Sequence, residues 1–430
     1  MAPDLMSLCA DPVREGPPLS VAEPPAPIRF NFDAGYPAPE ALPREPLAAL
    51  ASQVLRDPAA LGYVSLRYAG DGEPIYQEEG FNGREEMALG NADLRAELAK
   101  WLGGRQGIAG LGPENFVLTS GAGQAIALAA AAFINPGEGA LVESLTFAWA
   151  FRSLRMRGAE VRMVDLDEGG MSIVSLEARL AELRAEGIRP KLLYTIPTYQ
   201  LPTGTVMPLE RRRRLLELAE EHHLVVIEDA VYADLRFDGP EPPPTLLSLD
   251  RSGRVMQAHA FSKIVATGLR LGWMCGRPEL VDALGVVRED LGVSQWLSRV
   301  MCEYLRRGEL DGQIERAAAI YRRKRDIAIA GLRDACGDLV SFNPPGGGIF
   351  MWVTLDDSVD WLTAQRQAAL HGVQVREANA FSFLRDTGPI RHFRLGFGHG
   401  SEQELREGTA LLGEAIVAAS ERRPGAIRAS

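Results

Sequence analysis

From about Phe116 to Ala258, short apolar runs alternate with stretches in which apolar residues recur every third or fourth position. Phe116–Thr119, Ala140–Val142, Val161–Val164, Leu192–Ile196, Leu224–Glu228 and Val255–Ala258 read as strands. Gln124–Phe133, Trp149–Arg157, Leu176–Glu186 and Leu209–His222, set between them, read as helices. This alternation predicts an α/β fold, a mostly parallel sheet covered on both faces. Near Gly308 the pattern changes. A long arginine-rich helix over Gln313–Ala335 leads to strands at Leu339–Phe342, Gly348–Val353 and Phe393–Phe397, then to a helix from Glu402. That second pattern predicts a separate, smaller α/β lobe.

At the other end, residues 1–45 are rich in proline and alanine, with Gly16-Pro17-Pro18 and Glu23-Pro24-Pro25-Ala26-Pro27. Such a segment cannot be a packed helix and is expected to be partly disordered or to drape over another surface. Helical patterning begins near Pro46, and Asp93–Leu102 forms a helix behind an acidic cap. The expected division is a Pro-rich arm over 1–45 and a first part of the small domain over 46–90. A large domain over 91–310 and the rest of the small domain over 311–430 complete it.

Composition narrows the function classes. A net charge of −11 argues against a nucleic-acid surface, which needs concentrated positive charge. Cys9, Cys275, Cys302 and Cys336 have neither disulfide-framework nor zinc-ligand spacing, and no metal site is expected. No run approaches 18 apolar residues, so no membrane helix is expected. The first residues lack the basic start and apolar stretch of a secretory signal, which makes a reducing cytoplasm the expected location. The Arg211–Arg214 run is expected to be one solvated helix face opposing Glu217, Glu220 and Glu221.

The chemistry gathers around one lysine. Arginine outnumbers lysine 42 to 4 (46 basic residues less four), and Lys263 lies in Ala260-Phe261-Ser262-Lys263, seven residues before Arg270. Upstream, the apolar run from Leu224 delivers Glu228-Asp229-Ala230-Val231-Tyr232. An amine able to form an imine, a fixed cation and a carboxylate ending a buried strand are the parts that pyridoxal 5'-phosphate requires. Thr119-Ser120-Gly121-Ala122-Gly123 follows a strand and opens an Ala-rich helix, a turn whose free N–H groups suit a phosphate. Arg270 supplies a bidentate cation for the same phosphate. Taken singly, each feature has a plainer reading: a packing turn for the glycines, a helix cap for Asp229.

Together they carry a resemblance. The Lys263 segment, Asp229-x-x-Tyr232, Pro197–Gly204, Pro345-Gly346-Gly347-Gly348-Ile349-Phe350-Met351-Trp352 and Arg394-Leu395-Gly396-Phe397 stand in the order and spacing of a known family. The chain resembles the fold-type-I pyridoxal-phosphate enzymes of the class I/II aminotransferase family, with 2-aminoadipate aminotransferases as the nearest branch. The resemblance implies a large domain with a mostly parallel seven-stranded sheet and a smaller α/β domain. It implies Lys263 as the Schiff-base lysine and proton carrier, Asp229 against the pyridine nitrogen and Tyr232 against the ring phenolate. Phe147 would stack on the ring; Gly121, Ala122, Gly123, Ser262 and Arg270 would hold the phosphate, and Arg394 would clamp the substrate carboxylate. Tyr68 would reach the phosphate of a neighbouring subunit, which implies a homodimer with shared sites.

The chain departs from the family pattern in four places. Leu201 stands where the family's Asn-Pro-Thr-Gly has its asparagine, and leucine bonds neither phenolate nor carboxylate. Ala260 and Ala122 lack hydroxyls that relatives present to the phosphate. Gly72–Leu89 holds an acidic, turn-rich insertion, read as a lid or substrate-recognition loop. The expected activity is transfer of an amino group from an L-amino acid to a 2-oxo acid. The alternative is a lyase or synthase of specialised metabolism; a sensing domain fused to a DNA-binding unit fits the acidic charge poorly.

Overall fold

The computed structural model describes residues 5–8, 24–62, 67–68, 74–75, 83–382 and 391–421. Its larger sheet has seven strands: β1 (Phe116–Thr119), β2 (Gly139–Glu143), β3 (Glu160–Val164), β4 (Pro190–Thr195), β5 (Val225–Asp229), β6 (Val255–Ala260) and β7 (Gly272–Cys275). They lie in the order β1-β7-β6-β5-β4-β2-β3. Only β7 runs against its neighbours; the others are mutually parallel. Strands β1, β2, β6 and β7 are buried at every residue, as expected of strands with helices on both faces. All the strands read from the sequence are present within two residues. Strand β7 is additional: Gly272-Trp273-Met274-Cys275 is a four-residue run directly behind the lysine turn, where a turn and a strand read alike.

Two helices of this layer bear on the site, α1 (Ala122–Phe133) and α2 (Leu209–Glu221). The arginine run at the start of α2 is not one solvated face. Arg212 is fully buried, and its guanidinium donates to the carbonyls of Met207, Pro197 and Pro244 and to Thr198 Oγ1. Arg211 and Arg214 do stay outside, paired with Asp167 and with Glu177 and Glu217. The carbonyls of the bend leading into α2 have no helical partners, and Arg212 supplies their donors.

The second sheet is antiparallel: β8 (Val340–Ser341), β9 (Phe350–Leu355), β10 (Arg376–Glu377) and β11 (His392–Gly396), in the order β8-β9-β11-β10. The 28-residue helix α3 (Glu309–Cys336) and α4 (Glu402–Ala418) pack on each other beside it. The Pro-rich arm joins this layer. Phe30–Asn31 pairs in parallel with Val373–Gln374, and Phe30 and Phe32 are buried. Gly408 of α4 makes room for them, since a Cβ there would lie 2.5 Å from Phe32 Cζ. From Arg29 onward the arm is therefore a strand and a turn with partners. Within Gly72–Leu89, Pro74–Ile75 pairs with Arg67–Tyr68 and Gly83–Leu89 is helical. The remainder of the insertion lies outside the described residues.

Candidate active site

The carboxyl ends of β1, β5 and β6 open into one cavity of about 570 Å³. Ligands of open α/β sheets bind at that edge. Of the residues singled out by sequence, Ala122, Gly123, Phe147, Asp229, Tyr232, Ser262, Lys263 and Arg270 line it. Gly121 sits beside it as the N-cap of α1, at φ +84° and without a side chain to cap the first-turn N–H groups. A Cβ at Gly121 would stand 3.2 Å from Arg270 Nη2, so the residue is glycine for backbone conformation and for space together. The side chain of Tyr68 lies outside the described residues.

Lys263 follows β6 on a single helical turn, Phe261–Ile264. Its amine donates to the Gly35 carbonyl at 2.6 Å. Burial is the main cause that lowers its pKa to about 8, with the Arg394 charge adding to it and Asp229 opposing. A lysine that loses its proton near pH 8 has a substantial neutral fraction close to physiological pH, and the neutral form is a nucleophile and a base. Arg270 adopts left-handed backbone angles, φ 45° and ψ 42°, costly for a residue with a side chain. Its Nη2 holds the Ser120 carbonyl at 2.9 Å, which keeps the guanidinium over the amino end of α1.

Asp229 closes β5 and is buried. Burial raises its carboxyl pKa; the Tyr194 hydroxyl at 2.6 Å from Oδ2 and the Val231 N–H at 3.2 Å from Oδ1 work against that. Sequence reasoning misses Tyr194, which reads as one more apolar residue of the neighbouring strand β4. Tyr232 packs edge-on against Phe350, and burial pushes its hydroxyl pKa far up, so it stays a neutral donor.

Leu201 lines the cavity at 7% exposure. Its loop is anchored by Glu143, the last residue of β2, whose carboxylate accepts from Thr195 Oγ1 at 2.6 Å, the Ile196 N–H at 3.0 Å and Gln200 Nε2 at 2.9 Å. Gln200 Nε2 also donates to the Leu145 carbonyl at 2.7 Å, two residues before Phe147. Burial lifts the Glu143 carboxyl to about 7. No local pattern flags this cluster either; its members are up to 57 residues apart.

Arg394 is not among the residues that line the cavity, but its charge reaches Lys263 and Tyr232, and its guanidinium lies 4.2 Å from the Phe350 ring and 4.9 Å from Phe381. Burial lowers its pKa to about 10. The residue that meets it comes from the arm: Asp33 Oδ1 accepts from Arg394 Nη2 at 3.0 Å. Nothing in the local sequence flags Asp33 or Gly35.

A buried carboxylate, a lysine of lowered pKa, a fixed arginine and an uncapped helix start in one cavity fit pyridoxal phosphate. With the two-layered architecture they define an enzyme site of the aminotransferase type. The profile of the family described as "Aminotransferase class I and II" matches residues 87–411, and the chain belongs to that family. It is similar to aromatic-amino-acid aminotransferase 1 of Thermococcus litoralis, 33% identical over 389 residues, covering 90% of this chain and 88% of that one. It is also similar to the 2-aminoadipate transaminase of Thermus thermophilus, 30% identical, with 90% of each covered. Among solved structures, the multiple substrate aminotransferase of Thermococcus profundus superposes with a TM-score of 0.82 at 30% identity, covering 96% of this chain and 98% of that one. The chain is an aminotransferase-family enzyme of fold type I.

Proposed function

We propose that the enzyme uses pyridoxal 5'-phosphate, attached through Lys263, to move the amino group of an L-amino acid to a 2-oxo acid. The observation that carries this is the lowered Lys263 amine sharing one cavity with Asp229 and Arg270. When bound, the cofactor supplies an aldehyde to react with amines and a ring that withdraws electrons from the substrate α-carbon. Each residue has a part that its surroundings support. Arg270, Ser262 and the amino end of α1 would hold the phosphate by charge and N–H donors. Asp229, kept in line by Tyr194, would hold a proton on the pyridine nitrogen. Tyr232 would donate to the ring oxygen, and Phe147 would cover one ring face. The Lys263 Nζ would move the α-proton, after leaving the Gly35 carbonyl. Arg394 would take the substrate carboxylate.

Leu201 favours a second reading, a lyase or synthase, because leucine has no amide to offer a ring oxygen and makes its part of the cavity wall apolar. We further infer a cytoplasmic homodimer with Tyr68 crossing to the partner subunit's site. Trp149, which lines the cavity yet is 55% exposed, supports a covering surface at the cavity mouth. Among the described residues no helix is long and apolar enough to cross a membrane, and Cys275, Cys302 and Cys336 are buried free thiols.

The test is spectroscopic. Purified protein should be yellow, and borohydride should fix the label on Lys263. Single amino acids should shift the absorbance to that of the amine form of the cofactor, and a 2-oxo acid should restore it. A colour change without recovery by any 2-oxo acid would select the second reading; failure of Lys263 labelling would end both.

A further inference from the structure

Arg376 on β10 and Arg394 on β11 are directly opposite residues of adjacent antiparallel strands. Like charges so placed repel. Asp33 stands between them. Its Oδ1 accepts from Arg376 Nε and from Arg394 Nη2, at 3.0 Å for the latter. Its Oδ2 accepts from Arg376 Nη2 at 2.5 Å, and its backbone carbonyl accepts from Arg394 Nη2. The carboxylate is mostly covered, at 13% side-chain exposure, as is Arg394 at 7%, while Arg376 is half exposed.

Two guanidinium groups and one carboxylate leave one positive charge. Glu377, next to Arg376, also attracts that arginine. Arg376 thus has both Asp33 oxygens and Glu377 beside it, whereas Arg394 has one Asp33 carboxylate oxygen and an unmet donor: its Nε is buried without a partner among the described residues. A buried unpaired N–H costs free energy until a ligand satisfies it. The cluster is built for one further carboxylate and is already closed to a second.

We propose that Asp33 is a specificity-determining residue: by holding Arg376 neutralised, it limits the site to amino acids and 2-oxo acids with one carboxylate and disfavours dicarboxylic ones. The inference rests on the reading of Arg394 as the carboxylate clamp. Without Asp33, the paired arginines would offer two cations side by side, the arrangement that a dicarboxylic substrate needs.

The holoenzyme is titrated by calorimetry with butyrate and with glutarate, one carboxylate against two. Wild-type protein should bind butyrate more tightly than glutarate. Asp33→Asn should tighten glutarate relative to butyrate by about fivefold, ~1 kcal/mol and the scale of one partly exposed charge pair. Asp33→Asn/Arg376→Gln should lose that gain. Arg376→Gln alone places the whole Asp33 charge on Arg394 and should weaken both ligands together. This arm remains informative should Asp33→Asn fail to fold. An unchanged glutarate-to-butyrate ratio in Asp33→Asn, a gain that survives the double substitution, or unaltered binding in Arg376→Gln overturns the proposal. If wild-type protein binds neither ligand, the clamp role of Arg394 falls as well. Binding by wild type with an unmoved ratio sinks Asp33 alone.

Discussion

At the scale of single residues, the Lys263 amine is where pH acts on the site. Its pKa is lowered from the usual 10.5 to about 8, so the neutral, attacking form grows as pH rises through 8 rather than through 10.5. Attachment of pyridoxal phosphate to cofactor-free protein should accelerate between about pH 7 and 9 and level off above, followed by absorbance. The same depression means that the charged amine is disfavoured in the fold: the cost is present below pH 8 and fades as pH climbs to 10.5. Tyr194→Phe should free the Asp229 carboxyl to rise further, because its strongest hydrogen bond is lost. Cofactor affinity should then fall by roughly tenfold, ~1.4 kcal/mol, with the loss growing at lower pH. Phe at that position keeps the ring packing, so unaltered affinity and pH response would remove Tyr194 from the site. Lys263, Asp229 and Arg270 are legible in the sequence because each is a charged residue set against an apolar background. Asp33, Gly35 and Glu143 are not, since their meaning lies in contacts across as many as 361 residues.

At the scale of elements, loops between strands carry the site and buried polar groups hold the loops. Arg212 serves four acceptors, three in the bend before α2 and one at Pro244. Arg212→Met should therefore cost about 3 kcal/mol in denaturant unfolding, the scale of several stranded buried carbonyls. Arg213→Met, outside that network, serves as the control. Glu143 works in the opposite sense with pH. Its carboxyl rises from 4.5 to about 7 on folding, so the unfolded chain holds fewer protons between those values and stability falls as pH climbs from 4.5 to 7. Glu143→Gln should flatten that part of the stability curve; an unchanged slope would assign it to other groups. The strands themselves are readable from apolar runs. Arg212 is not, because helical periodicity says which face a residue is on and not what an adjacent loop brings to that face.

For the whole molecule, the arm is one of the parts that link the two layers, beside contacts such as the Arg325–Asp238 ion pair. Phe32 is 1% exposed against α4, and three residues farther on the chain reaches Lys263. Phe32→Ala should destabilise by ~3–5 kcal/mol, as other large-to-small core changes do. It should also loosen the Gly35 carbonyl from the amine, so that cofactor attachment and melting temperature both respond. A change in melting temperature with identical attachment kinetics would separate the arm from the site.

The sequence by itself determined the α/β class and the order of most strands and helices, and it singled out Lys263, Asp229 and Arg270, which one cavity brings together. Those depend on periodicity and on motifs a few residues long, which a linear chain displays. Only the tertiary structure decided that a proline-rich arm becomes a strand, that Asp33 divides two arginines, and that Glu143 and Arg212 hold the loops. The reason is physical: a buried charge is tolerated only where partners from distant segments meet it, and no local pattern records where those partners will be.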